Sequence, residues 1–156
     1  MLQHASHMPF SHDDFWQFSL NHYRKKGVQE ACLTLQDTYR GNVNLALLLI
    51  WLDEHTTSIT ASNINTLIDA LAPSQALIQP YRALRKQTKT YLPTELYQQH
   101  LQFELTLEHQ QQQDLINRLN QLPRSGANNS ALLSHYCQHL GAQSLLSALL
   151  AQPVTK

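Results

Sequence analysis

Glu104 and Glu108 stand one helical turn apart, with His100 one turn before them, and Arg82, Arg85 and Lys86 lie on the segment just upstream. An imidazole and two carboxylates at this spacing could hold a metal. A carboxylate-bridged site in a helical bundle, however, needs Glu-x-x-His on two helices, and that spacing is absent from the chain. The same charges read better as an ion-pair row between two antiparallel helices. Arg82 or Arg85 then faces Glu104 or Glu108, in bidentate geometry where partly buried. A second constellation, Gln36, Asp37, Asn42 and Asn44, brackets a helix–helix turn. A carboxylate beside apolar packing must find partners or shift its pKa. The group is therefore either a ligand or acid–base site, or a set of caps for exposed helix-end amides. Trp16, Tyr23 and Trp51, together with Tyr39, can line a pocket between helices or simply fill the core. His135 and His139, at i and i+4, read as solvated helix histidines in the absence of a third ligand.

Other chemistry finds no foothold. Cys32 and Cys137 lie in apolar helical patterns, with no CxxC and no histidine and acid at a recognised local spacing. They read as packing thiols in a reducing compartment. No G-x-S-x-G and no glycine-rich phosphate loop occurs, so no catalytic residue, metal or cofactor is expected. The 11 basic and 11 acidic side chains balance. That argues against DNA binding by bulk charge and leaves only a weak RNA or ribosome contact through Arg82, Arg85, Lys86 and Lys89. The N-terminus lacks the pattern of a secretory signal, and the longest apolar run, Leu45 to Leu52, is too short to span a membrane. A cytoplasmic location is the expectation.

The elements that must position these residues are helices. The 156 residues contain 18 Gln and 28 Leu against 4 Gly and 6 Pro, and only 14% are charged, where about a quarter is usual. Ser11 is placed to cap a first helix that Gly27 stops. Val28, Ala31, Cys32, Leu35 and Tyr39 form the stripe of a second, to about Arg40, with Gly41 ending it. Asn42 caps a third, Val43 to about His55, apolar nearly all round and so expected at the centre of the bundle. After a polar link at 56–60, Ser62 is expected to cap a fourth that Pro73 closes. Ser74 opens the next, with a kink or restart at Pro80. The longest element runs from Thr94 to about Leu122, expected along the third helix. Its all-polar stretch Gln110 to Gln113 reads as solvated or as a breaking point. Ser130 is expected to cap a last helix that Gly141 weakens. The pattern contains no strand. It predicts an all-α single domain, 10–152, of six or seven helices in two parts, 10–55 and 60–152. A flexible 1–9, with Met8 as an alternative start, and a tail at 153–156 flank it.

The first third carries more than composition requires. FWQFSLNHYRKKGVQEACLTLQDTYRGNVNLALLLIWL holds an F-W-x-F-S-L start at Phe15, a G-V-x-x-A-C-L-x-L-Q-D middle at Gly27 and an N-V-N-L run from Asn42 ending at Trp51 and Leu52. It resembles an uncharacterised family of short proteobacterial proteins known only as a domain of unknown function, closely over about residues 10 to 52 and more loosely beyond. The resemblance implies a small bacterial helical protein and no catalytic residue, and its signature runs straight through Gln36, Asp37, Asn42 and Asn44. With no motif for catalysis, the expected function is a non-enzymatic adaptor or regulator. It would bind an unknown protein or itself, with Arg82, Arg85, Lys86, Glu104 and Glu108 as contact candidates. The alternative is a small-molecule or enzymatic site built from Trp16, Tyr23, Gln36, Asp37, Asn42, Asn44 and Trp51.

Overall fold

The structure, a computed structural model, describes residues 8–126 and 131–152. Among them are eight α-helices: α1 (His12–Tyr23), α2 (Val28–Asp37), α3 (Val43–Glu54), α4 (Ala61–Ala70), α5 (Ala72–Thr88), α6 (Thr94–Leu119), α7 (Leu132–Leu140) and α8 (Leu146–Leu149). The fold is all-α, with more helices than the six or seven expected. The extra helix comes from Gly141, which takes a left-handed φ of 75° and ends α7 outright, so that a 3-10 turn and α8 follow. The polar link also does something the pattern did not show. Thr57–Ser58 (β1) pairs antiparallel with Ser125–Gly126 (β2). The expected cap Ser130, the fraying of 1–7 and the tail at 153–156 lie outside the described residues.

Local chemistry sets the early helix ends. Ser11 Oγ accepts from the Asp14 amide, and Asn42 Oδ1 accepts from the Leu45 amide at 2.8 Å. Gly27 holds φ 83°, which L side chains rarely adopt. Elsewhere the boundaries differ. α2 stops at Asp37 and the turn is made by Arg40 at φ 57°. Gly41 is needed for closeness instead: a Cβ there would meet Leu140 Cδ1 and Leu35 Cγ, each at 2.8 Å. Thr60, rather than Ser62, caps α4. Pro73 starts α5, where its missing N–H costs nothing, instead of closing α4. α5 continues through Pro80 without a restart.

Every residue of α3 from Asn44 to Leu52 is buried, and the helix packs against α1, α2, α6 and α7. Phe15, Leu35, Leu67, Leu115, Ile116 and Leu119 close around it, each worth roughly 1.5–3 kcal/mol when fully buried. Asp53, near the end of α3, reaches across to α7. Its two carboxylate oxygens accept from the Leu132 and Leu133 amides at 3.0 and 3.1 Å. α6 is the longest element and its chief partner is α5, not α3. Its second half enters the core, while its first half is mostly exposed and lies along α5. Gln111 and Gln112 neither break it nor face water: each is only 2% exposed. No helix of the described residues is long and apolar enough to cross a membrane.

A candidate ligand cleft

Where the first half of α6 leaves the core, a cleft of about 320 Å³ opens between it, α1, α5 and the turn into α3. That volume lies at the lower end of the range of small-molecule pockets. α1 contributes Trp16, Ser19 and Tyr23, the turn contributes Gln36, Asn42 and Asn44, and α5 contributes Gln75, Arg82, Arg85 and Lys86. α6 supplies Glu104, Glu108, Gln111 and Gln112, and Leu33, Leu47 and Leu105 add apolar surface.

One end is an ion-pair lattice across the α5–α6 hairpin. Arg85 Nε donates to Glu104 Oε1 at 2.5 Å, and Arg82 Nε donates to Glu104 Oε2 at 3.2 Å. A second Arg85 nitrogen reaches Glu104 Oε2 at 3.4 Å, and its third donates to the Tyr97 hydroxyl at 2.9 Å. Glu104 is thus used on both oxygens. Glu108 meets Arg82 through a contact of 3.4 Å. The two carboxylates respond in opposite directions. Desolvation would raise Glu104, but the Arg85 and Arg82 bonds outweigh it and hold the acid below its usual value. Desolvation dominates at Glu108, and with Glu104 beside it the Arg82 contact is too weak to compensate, so its pKa rises. Glu108 keeps a third of its side-chain surface open, and it lines the cleft. Across from it, burial pushes the Tyr23 phenol up to about 12, helped by Cys32 and Glu108.

The other end is a network of amides whose orientations are set by the backbone. Asn42 Oδ1 must accept from Leu45 N–H, so its nitrogen donates to Gln111 Oε1 and Gln75 Oε1 at 3.1 and 3.2 Å. Ser74 donates to the Leu71 carbonyl, so its oxygen accepts from Gln111 Nε2 at 2.9 Å. Asn44 Nδ2 faces the Glu108 carbonyl and Gln111 Oε1, both acceptors, so Asn44 Oδ1 must accept from Gln112 Nε2 at 3.0 Å. Gln112 Nε2 also donates to Ser19 Oγ at 2.9 Å. Its carbonyl oxygen is then left buried with no partner, and flipping the amide would set two oxygens face to face.

The structure therefore joins two groups that looked separate. The charged row and most of the turn constellation line one cavity. Trp16 does so as well, with its ring 4.3 Å from that of His109. Two expected members are elsewhere. Trp51 is buried among Phe10, Phe15 and His55, with ring centroids 5.1–5.2 Å away, because it faces inward from α3. Asp37 is exposed at the end of α2 and meets only the Gln36 amide at 3.5 Å, neither capping a helix nor facing the cleft. Lys86 sits exposed at the rim, and Lys89 lies over the Tyr97 ring. His135 and His139 are exposed on α7. Burial pushes the Cys32 thiol up to about 12, which suits packing and not nucleophilic attack. Gln75, Gln111, Gln112, Ser19 and Ser74 were missed. Their signal was register: Gln111 and Gln112 continue the α6 stripe of Leu115, Ile116 and Leu119.

No curated protein and no solved structure matches the chain. A family model does, over residues 14–115. That span takes in every side chain that lines the cleft and ends before α7. The chain belongs to the family described as "Protein of unknown function (DUF2390)".

Proposed function

We propose that this protein is a cytoplasmic helical bundle that binds a small organic molecule in the cleft between α1, α5 and α6. One observation carries the reading: polar side chains of α1, the turn into α3, α5 and α6 converge on one cavity that Trp16, Leu33, Leu47 and Leu105 line with apolar surface. A cleft of this size with apolar walls and a few convergent polar groups is the ordinary form of a small-molecule site. The test is to purify the protein from its native host, denature it, and identify released small molecules by mass spectrometry. Leu105→Trp is the comparison, since Leu105 lines the rim and is 40% exposed, so the larger ring fills the cleft without entering the core. A compound held at near one equivalent by the wild type and lost from the variant is expected. Equal recovery from both, or none from either, overturns the reading.

A protein-binding role, as an adaptor, draws on a different observation. Leu77 and Leu84 on α5 and Leu96 and Phe103 on α6 are 63, 50, 44 and 51% exposed. Clustered exposed apolar side chains mark contact surfaces. Arg82 and Arg85 are occupied by Glu104 and Glu108, so they suit neither a partner contact nor an RNA contact. The discriminating variant is Leu77→Ser with Phe103→Ser. If affinity purification yields a stoichiometric protein that this variant loses, the adaptor reading holds.

A further inference from the structure

We propose that the cleft takes a small organic acid, its anionic group held by Arg24 and Lys86 and its apolar, ring-bearing body laid against Trp16 and Leu105. The proposal rests on reading the cleft as a ligand site. It follows from the charges and donors of the lining that the fold leaves unused. Arg24, Arg82, Arg85 and Lys86 line the cavity against two carboxylates, Glu104 and Glu108. Over the whole chain the 11 basic and 11 acidic side chains balance, so the cleft gathers a positive surplus that composition does not require. The salt bridges show where that surplus sits. Arg82 and Arg85 are paired with Glu104 and Glu108 across the α5–α6 hairpin. Arg24, at the end of α1, and Lys86, on α5, are exposed, and their side chains have no ion-pair or hydrogen-bond partner among the described residues.

The neutral groups lean the same way. Gln75 uses its carbonyl oxygen on Asn42 and Gln111, and its amide nitrogen donates to nothing among the described residues. The Tyr23 hydroxyl is likewise unbonded there, and with its pKa at about 12 it keeps its proton at neutral pH. Both side chains are half-buried and line the cavity. An acid therefore meets charged donors at the rim and neutral ones on the wall, and Glu104 keeps both its arginines. A concave wall of low dielectric carrying one sign of charge focuses its field on such a ligand. A cationic ligand would face two unpaired cations and gain only Glu108, which already meets Arg82. A bare inorganic anion would leave most of the cavity's roughly 320 Å³ unfilled and the apolar surface of Trp16, Leu33, Leu47 and Leu105 uncovered.

Three probes that share one naphthalene ring test this: naphthoate, an anion; naphthamide, which is neutral; and naphthamidine, a cation. Binding is followed by the indole N–H resonances, where Trp16 reports the cleft and Trp51, buried in the core, serves as the control. Naphthoate is expected to bind most tightly, moving Trp16 and not Trp51. Naphthamidine should bind at least about tenfold more weakly, the scale of one charge-assisted hydrogen bond. Arg24→Gln with Lys86→Gln, both at exposed positions, should weaken naphthoate about tenfold and leave naphthamide within about twofold. Lys25→Gln with Lys26→Gln removes the same charge from exposed side chains outside the lining, and naphthoate should stay within about twofold. The inference fails, while the cleft remains a ligand site, if naphthamide or naphthamidine binds as tightly as naphthoate. It fails in the same way if the Arg24 and Lys86 changes leave naphthoate unmoved, or if the two double variants weaken it equally. If none of the three probes moves Trp16, the inference falls as well, and the compound recovered from the native host decides the cleft reading by itself.

Discussion

Glu104 and Glu108 share one helix face, one arginine partner, Arg82, and one cleft, yet their acidities move apart. The difference is how completely each is bonded. Glu104 is favoured ionised in the folded protein, so its stabilisation is full above the ordinary carboxylate range and fades as pH falls through its lowered folded value. Glu108 is favoured protonated. Its contribution is full below the ordinary range and is lost as pH rises through its raised folded value, so at neutral pH its charge works against the fold. Glu104→Gln is therefore expected to lose about 2–3 kcal/mol at pH 7, the value of hydrogen bonds to a charged group, with the loss shrinking below about pH 4. Glu108→Gln should be neutral or stabilising at pH 7 and lose that advantage near pH 4. Urea unfolding of both variants at the two pH values checks this, and equal destabilisation at pH 7 would contradict it. A residue that costs stability in a cleft is the usual mark of binding over folding.

At the scale of elements, two glycines separate conformational need from close packing. Gly27 has φ 83° and open space around it, so Gly27→Ala should cost about 1–2 kcal/mol through backbone strain alone. Gly41 has an ordinary φ but no room, and Gly41→Ala should cost about 1–3 kcal/mol by pushing Leu35 and Leu140 apart. Chemical denaturation of both gives the totals. Only Gly41→Ala should perturb the methyl resonances of Leu140, and a matching disturbance from Gly27→Ala would refute the distinction. The same contrast explains what could be read beforehand. Caps at Ser11 and Asn42 and the apolar run of α3 are local facts, and local facts are legible. The Arg82, Arg85, Glu104 and Glu108 pairing was legible too, because a hairpin makes neighbours of residues at fixed spacing. Gln111 and Gln112 were not, since an all-polar stretch reads as solvent until Asn42, Asn44 and Ser74 arrive from distant segments to bond it. Trp16 and Trp51 are the same residue type at similar helical spacing, and only the packing tells the cleft from the core.

Over the whole molecule, α3 and the second half of α6 separate two environments: an apolar interior shared with α7 and α8, and the polar cleft toward α5. The two cysteines both lie on the apolar side, Cys32 in α2 and Cys137 in α7, each buried and unpaired, and burial raises both thiols. A buried thiol reacts only when its segment opens, so each reports the stability of its own surroundings. α7 is held to α3 partly by Asp53, whose two oxygens satisfy backbone amides at the start of the helix, and a cap of this kind is worth about 1–2 kcal/mol. Removing it leaves the packing of α2 untouched. In the wild type, a thiol reagent in mild urea should label Cys32 and Cys137 together, at the rate of global opening. In Asp53→Ala, Cys137 should label first and Cys32 at nearly its former rate, scaled only by the lower overall stability. If both thiols accelerate equally, α7 opens with the rest of the bundle, and the Asp53 contact is part of one cooperative core and not the hinge of a separate unit.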